Sequence, residues 1–225
     1  MARLTLARRT RLSTRTVALM ASFAAGCCAT IGLIGSPASA GVLSTVAGTL
    51  PNCGARTAST PFAPWGDSHD YFPMPGGGFE AGTPGWTVAP STKVVTGNET
   101  FFVSSKADTH SLTIPTGTQV TSPTVCVAMG ENSVRFFVKN PGVAGAVLHI
   151  QAYVQNPLTG LTLSTGFDVN GTTGAKVWAP SSRITIPNLL GGVLGTQNVT
   201  LVFSAKGPSA TWNIDDVFVD PFRSR

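Results

Sequence analysis

The first forty residues contain no aspartate or glutamate, and the first acidic side chain of the chain is Asp67. Charge is scarce everywhere: Lys, Arg, Asp and Glu together make 11 % of the 225 residues, while hydrophobic residues make 42 %. A chain that poor in charge and that rich in apolar side chains is not intrinsically disordered. There are only three histidines and four cysteines, and no two cysteines are spaced as C-x-x-C. The zinc and dithiol-redox motifs that need such spacing are therefore absent. A phosphate-cradling glycine loop and a dinucleotide fingerprint are absent too. Glycine (25) and proline (16) are plentiful but follow no triplet period, which excludes collagen and argues against coiled coil.

The positive charge is confined to one end. Arg3, Arg8, Arg9, Arg11 and Arg15 account for the whole formal net charge of +5, and residues 41–225 balance at ten basic and ten acidic side chains. That balance leaves little support for nucleic-acid binding. A basic stretch (residues 1–16) is followed by an almost wholly apolar or small stretch (17–35). Ser36-Pro37 and then Ala38-Ser39-Ala40 come next. This is the layout of a secretory signal, predicted to be cleaved after Ala40. The apolar stretch also nears the lower length of a spanning helix, so an uncleaved membrane anchor stays open, as does a lipoprotein site at Cys27. The leader is the only predicted link to a membrane.

Cleavage removes Cys27 and Cys28 and leaves Cys53 and Cys126, an even number in an oxidising compartment. A disulfide between them is predicted. In the chain-entropy treatment a loop of that length is worth about 4 kcal/mol.

Prolines recur too often for full helices, and the longer gaps alternate. In the run from Ala146 to Val154, Leu148, Ile150, Ala152 and Val154 fall on one face and His149, Gln151 and Tyr153 on the other. Ser133–Lys139 alternates likewise. Further predicted strands are Trp86–Ala89, Phe101–Val103, Ser111–Ile114, Thr124–Val127, Leu161–Val169, Lys176–Trp178, Asn198–Ala205 and Thr211–Asp220. Turn signals separate them, including Asn170-Gly171, a pair favoured in tight hairpins. A short helical turn is allowed only within Ile186–Leu194. The expectation is all-β: an antiparallel β-sandwich (jelly roll) over residues 76–225, with an irregular Pro/Gly-rich arm over 41–75.

The body opens with Gly76-Gly77-Gly78-Phe79-Glu80-Ala81-Gly82-Thr83-Pro84-Gly85-Trp86 and closes with Trp212-Asn213-Ile214-Asp215-Asp216-Val217-Phe218-Val219. This pairing resembles the carbohydrate-binding-module jelly rolls of the galactose-binding-like fold. The chain as a whole resembles secreted actinobacterial proteins. The resemblance covers residues 76–220 and implies a structural Ca2+ held by Glu80 with Asp215 or Asp216. Calcium does favour several hard oxygens, and a buried carboxylate needs a partner or a metal. The alternative is that these acids cap loop amides without an ion.

Gly66-Asp67-Ser68-His69 invites a serine-esterase reading, but that chemistry needs a late histidine and the last one is His149. Asp67 and Ser68 are instead predicted to cap a turn. The remaining carboxylates are scattered over predicted loops, with no pair marking a glycosidase. An enzyme is not favoured by these motifs. The candidate ligand face joins Arg135 and Phe137 to His149, Gln151 and Tyr153, on the expectation that the two strands pair across a short turn. Trp178 extends it. Aromatic rings stack on sugar C–H faces while amides and charges meet hydroxyls. The competing reading puts Phe137 and Trp178 under the arm, covered by Trp65, Tyr71 and Phe72. The sequence therefore predicts a secreted, non-catalytic module that binds a polysaccharide or cell-wall polymer. Two rivals remain: a cell-surface structural or protein-interaction module without a small ligand, and a secreted hydrolase. Oligomeric state is not legible in the sequence.

Overall fold

The computed structural model describes residues 53–128, 131, 133–157, 159–174, 176–187 and 196–220. The leader and most of the Ile186–Leu194 stretch lie outside them. No helix among the described residues is long and apolar enough to cross a membrane. The helical element among them is a single 3-10 turn, Ala63–Trp65.

Thirteen strands follow in chain order: β1 (Phe72–Pro73), β2 (Thr87–Val88), β3 (Lys93–Thr96), β4 (His110–Pro115), β5 (Gln119–Thr121), β6 (Val125–Ala128), β7 (Ser133–Lys139), β8 (Val147–Gln155), β9 (Thr162–Asn170), β10 (Trp178–Pro180), β11 (Ile184–Thr185), β12 (Thr196–Lys206) and β13 (Thr211–Asp220). They form two antiparallel sheets. One has the order β10-β7-β13-β4-β3, with β1 beside β13 and β11 beside β7. The other has the order β2-β5-β12-β8-β9, with β6 also on β12. Chain segments cross repeatedly from one sheet to the other, as in a jelly roll.

The period-two runs are strands because alternate side chains can be buried between the sheets. Leu148, Ile150, Ala152 and Val154 of β8 face Val134, Phe136 and Val138 of β7 and Leu112, Ile114, Trp212 and Ile214 within one core. Trp86 belongs to the same core, its indole Nε1 donating to the Pro75 carbonyl at 3.0 Å.

Three local expectations are overturned. Strands β7 and β8 do not pair: the turn between them carries the chain across the sandwich, so they lie in opposite sheets. Phe101–Val103 is a loop, because the Glu99 carboxylate accepts the amides of Phe101 and Val103 (2.8 Å for the latter) and removes them from any ladder. Asn170-Gly171 is not a hairpin turn. It leaves β9 for the other sheet, and Gly171 packs so close that a Cβ would stand 2.2 Å from the Val143 carbonyl oxygen. The hairpin of this region is β8–β9, paired through nine consecutive residues.

The Cys53–Cys126 disulfide is formed and joins the start of the described chain to β6. Arg56 adds an ion pair to Glu131 at 2.5 Å and a hydrogen bond to the Cys126 carbonyl. Farther along, the backbones of Ser59 and Tyr71 bond to each other, and β1 adds to the edge of β13.

Residues 59–72 cover the outer face of the β7–β13 sheet. Phe62 stacks on Phe137 (ring centroids 5.3 Å apart, 17° between planes), and the Arg135 guanidinium lies 4.3 Å from the centroid of the Phe62 ring. Asp67 locks this layer. Its carboxylate accepts from Arg135 Nη1 at 2.7 Å, from the Tyr71 hydroxyl at 2.7 Å and from Arg183 Nη2 at 2.9 Å. Burial opposes ionisation of this carboxyl, but hydrogen bonds from Tyr71, His69 and Arg135 outweigh it and hold the group well below the usual carboxylate range. Burial and the same Asp67 contact push the Tyr71 phenol up. The predicted turn cap is present as well, with the His69 amide on Asp67 Oδ1 at 3.3 Å.

Removing one member of a buried ion pair strands the other, at about 3 kcal/mol or more. Asp67→Asn is expected to lower the unfolding free energy at pH 7 by that order, measured by urea denaturation. The folded pKa lies below the unfolded one, so the contribution is complete above about pH 4 and fades as pH falls further. Wild type and variant should therefore converge in acid. Equal stability at pH 7 would remove Asp67 from the role of anchor.

Candidate functional site

The crossing of β7 and β8 into different sheets divides the predicted ligand face. Arg135 and Phe137 lie on the outer face of the β7–β13 sheet, 9 % and 0 % exposed. Trp178, opposite Lys139 in the register, is buried in the same cluster with Phe62, Tyr71 and Phe218. These three are covered by Phe62 and Trp65, the latter 5.5 Å from Phe137. They are structural ring contacts here and do not meet His149, Gln151 or Tyr153.

Those three share the outer face of the other sheet, which is open. Register places Asp168 of β9 beside His149, Gly166 beside Gln151 and Ser164 beside Tyr153. On the other flank β12 sets Ser204, Val202 and Thr200 against the same three residues. His149 Nδ1 lies 2.6 Å from Asp168 Oδ1 and its Nε2 lies 3.2 Å from Gln151 Oε1. Gly166 makes that row fit: a Cβ there would stand 2.9 Å from Gln151 Oε1 and 3.0 Å from His149 Cε1. The absence of a side chain lets the imidazole and amide lean over β9 in a shallow notch. Tyr153, 43 % exposed, stands at the end of the row.

The charge of this face is low. Asp168 and, at the far end of β12, Lys206 are its formal charges in the paired strands; hydroxyls, amides and the apolar Val147 and Val202 stand between them. Such a surface can offer a flat ring and many neutral hydrogen-bonding groups. Asp168 and Gly166 were not among the predicted site residues. The β8–β9 pairing that brings them in depends on register, which alternation within one strand does not set.

A second site lies where the opening and closing motifs meet. Asp215 and Asp216 are both buried, because β13 bulges between Asp215 and Phe218 and Asp216 takes a φ of 46°. Alternation to opposite faces, expected of neighbours on a regular strand, fails at that bulge. Asp215 accepts the amides of Glu99 (3.0 Å) and Asp216 (2.8 Å). Asp216 Oδ1 accepts the Ser104 hydroxyl at 2.8 Å, and its Oδ2 is buried without a partner among the described residues. Glu80 turns toward β4, accepting the amides of Thr109 (2.8 Å) and His110 (2.7 Å). Burial, followed by the charge of Asp216, pushes the Asp215 carboxyl up to about 9. Burial, with Glu99, Asp108 and Glu80 nearby, pushes Asp216 up to about 7 against the bond from Ser104.

Glu80, Asp215 and Asp216 thus share a region, but their carboxylates do not converge. Among the described residues no three His, Cys, Asp or Glu side chains are disposed to hold a metal ion. The hollow beside Asp216 is lined by Gly78, Phe79, Glu80, Ser104 and Asp108. Its donors — carboxylates, a hydroxyl and backbone carbonyls — suit a hard cation in kind. Glu99, which ties the 99–103 loop to Asp215, was not foreseen as part of this corner.

The chain is similar in structure to carbohydrate-binding modules. A family 61 module solved in complex with beta-1,4-galactotriose aligns over 65 % of this chain and 95 % of its own, with a TM-score of 0.42 and 19 % identity. A family 6 carbohydrate-binding module aligns over 68 % of this chain and 94 % of its own (TM-score 0.41, 16 % identity). A family 11 module from Clostridium thermocellum, solved with a beta-1,3-1,4-mixed-linked tetrasaccharide, aligns over 66 % of this chain and 95 % of its own (TM-score 0.38, 13 % identity). No protein-family model matches the sequence, and no curated protein matches it.

Proposed function

We propose that this chain is an exported, non-catalytic β-sandwich that binds a polysaccharide or cell-envelope polymer across the outer face of the β12–β8–β9 sheet. One observation carries the reading: exposed Tyr153 stands beside the hydrogen-bonded Asp168–His149–Gln151 row, on a face of low charge with hydroxyls and amides around it. The Tyr153 ring would stack on the C–H face of a pyranose, and the row would exchange hydrogen bonds with its hydroxyls. The notch over Gly166 would let the sugar approach the sheet. The disulfide supports an oxidising destination.

The test is depletion of the protein by insoluble polysaccharides and purified cell wall, with affinity measured on whichever is bound. Tyr153→Ala is expected to weaken binding by about tenfold, the scale of one lost stacking contact, with an unchanged melting temperature. Trp178→Ala, beneath the 59–72 layer, is expected to lower stability and leave the affinity of the folded protein alone. No depletion by any glycan, or full affinity in Tyr153→Ala, would sink this reading.

A structural calcium at the Asp216 corner is a second proposal, supported by the buried, partnerless Asp216 Oδ2 beside Glu80, Ser104 and Asp108. A bound cation would offset the crowded negative charge there. Thermal unfolding in calcium is expected to show a higher midpoint than in chelator, and Asp216→Asn should abolish the difference. Asparagine accepts the positive φ of that position, so the variant keeps the backbone. The same midpoint with and without calcium would overturn it.

A further inference from the structure

Among the described residues the two sheets expose several edges, and all but one carry a recognisable protection. Strand β3 has four residues and begins at Lys93, whose amide is taken by Thr113 Oγ1. β10 is three residues long and ends in Pro180, while β2 and β11 have two residues each. β6 is covered by the disulfide at Cys126 and by Arg56 on the Cys126 carbonyl. Short strands, Lys, Pro and covering segments are the usual means of keeping an edge from pairing with another chain.

Among the described residues, strand β9 has none of them. It is nine residues long, pairs with β8 on one side through nine consecutive residues without a bulge, and contains no Pro and no Lys. Its sequence, Thr-Leu-Ser-Thr-Gly-Phe-Asp-Val-Asn, has one charge, at Asp168. Exposed apolar side chains gather here. Leu161 (54 %) and Leu163 (45 %) lie on or next to β9, and Val177 (60 %) stands across the gap beside β10. Between β9 and β10 the sandwich opens into a cavity of about 330 Å³, whose lining includes Phe167, Val169, Val177 and Trp212.

We propose that β9 is a pairing edge and that its partner is β9 of a second copy of this chain. Antiparallel pairing about the middle of the strand, at Thr165 or Gly166, is isologous and so closes at two copies. Either register sets Asp168 against a hydroxyl, Thr162 or Ser164, and never against its own copy. Either one also sets Leu163 against an apolar residue of the partner, Phe167 or Val169. The single charge of the strand is thus compatible with self-pairing, and the exposed leucine gains an apolar partner. The pairing would run one sheet into the next and place two Tyr153 faces on one surface, which raises avidity for a polymer. The edge stands whether or not that face binds a glycan.

Sedimentation equilibrium of the full chain across micromolar concentrations tests this. Wild type is expected to reach twice the chain mass. Leu163→Lys, a change at an exposed position, should hold the single-chain mass and keep the melting temperature. Phe102→Lys, an equally exposed control away from this edge, should dimerise as wild type does. A wild-type protein that stays single, a dimer that survives Leu163→Lys, or loss of the dimer in Phe102→Lys would each overturn the proposal. Glycan depletion run on Leu163→Lys, whose Tyr153 face is intact, separates failure of this edge from failure of the binding face.

Discussion

The Asp67 carboxylate is the contact on which the exposed architecture depends. It is a buried anion placed between two arginines and a tyrosine that come from three stretches of chain: Arg135 on β7, Arg183 beyond β10, and Tyr71 just ahead of β1. An unpaired charge in that position would be strongly unfavourable. The network is satisfied only when residues 59–72 lie flat on the sheet. Phe62 then meets both the Arg135 guanidinium and the Phe137 ring, and Trp65 closes over Phe137 from the side. The energetic value of the ion pair against an apolar alternative is small in general, but its geometry leaves one placement for the layer.

One consequence is asymmetry between the two sheets. The β7–β13 sheet is covered on both sides, by the core within and by Phe62, Trp65 and Tyr71 without, while Phe72, expected in that outer layer, turns into the core. The β12–β8–β9 sheet is covered only on its inner side among the described residues, so its outward His149, Gln151 and Tyr153 meet solvent. An open outer row and a covered one have nearly the same strand pattern. What separates them is whether a distant segment brings side chains to cover the outer row.

The acidic corner shows the same dependence at smaller scale. A single bulge in β13 turns two neighbouring aspartates inward together, and the Glu99 loop closes over one of them. Phe101 then rests on Trp65 and Phe137 rather than entering a strand. The loop that caps the acids also completes the aromatic layer, so the two regions are built as one.

The all-β class, most strand positions, the core faces of β7 and β8, and the Cys53–Cys126 bond were legible in the residues alone. Alternation is a local property that reports which side chains share a face, and the count of cysteines left two to pair. β1, β3, β5 and β11 were not legible, being short and without enough alternation to register. The sheet to which each strand belongs was not legible either. The Arg135–Phe137 row and the His149–Tyr153 row look alike in sequence, and a seven-residue connection fits a hairpin as well as a crossing. That choice belongs to packing: the inner faces of β7 and β8 meet in one core from opposite sheets. Tertiary structure alone then decided which outer row is open, because covering it requires contacts between residues about seventy positions apart, such as Asp67 and Arg135.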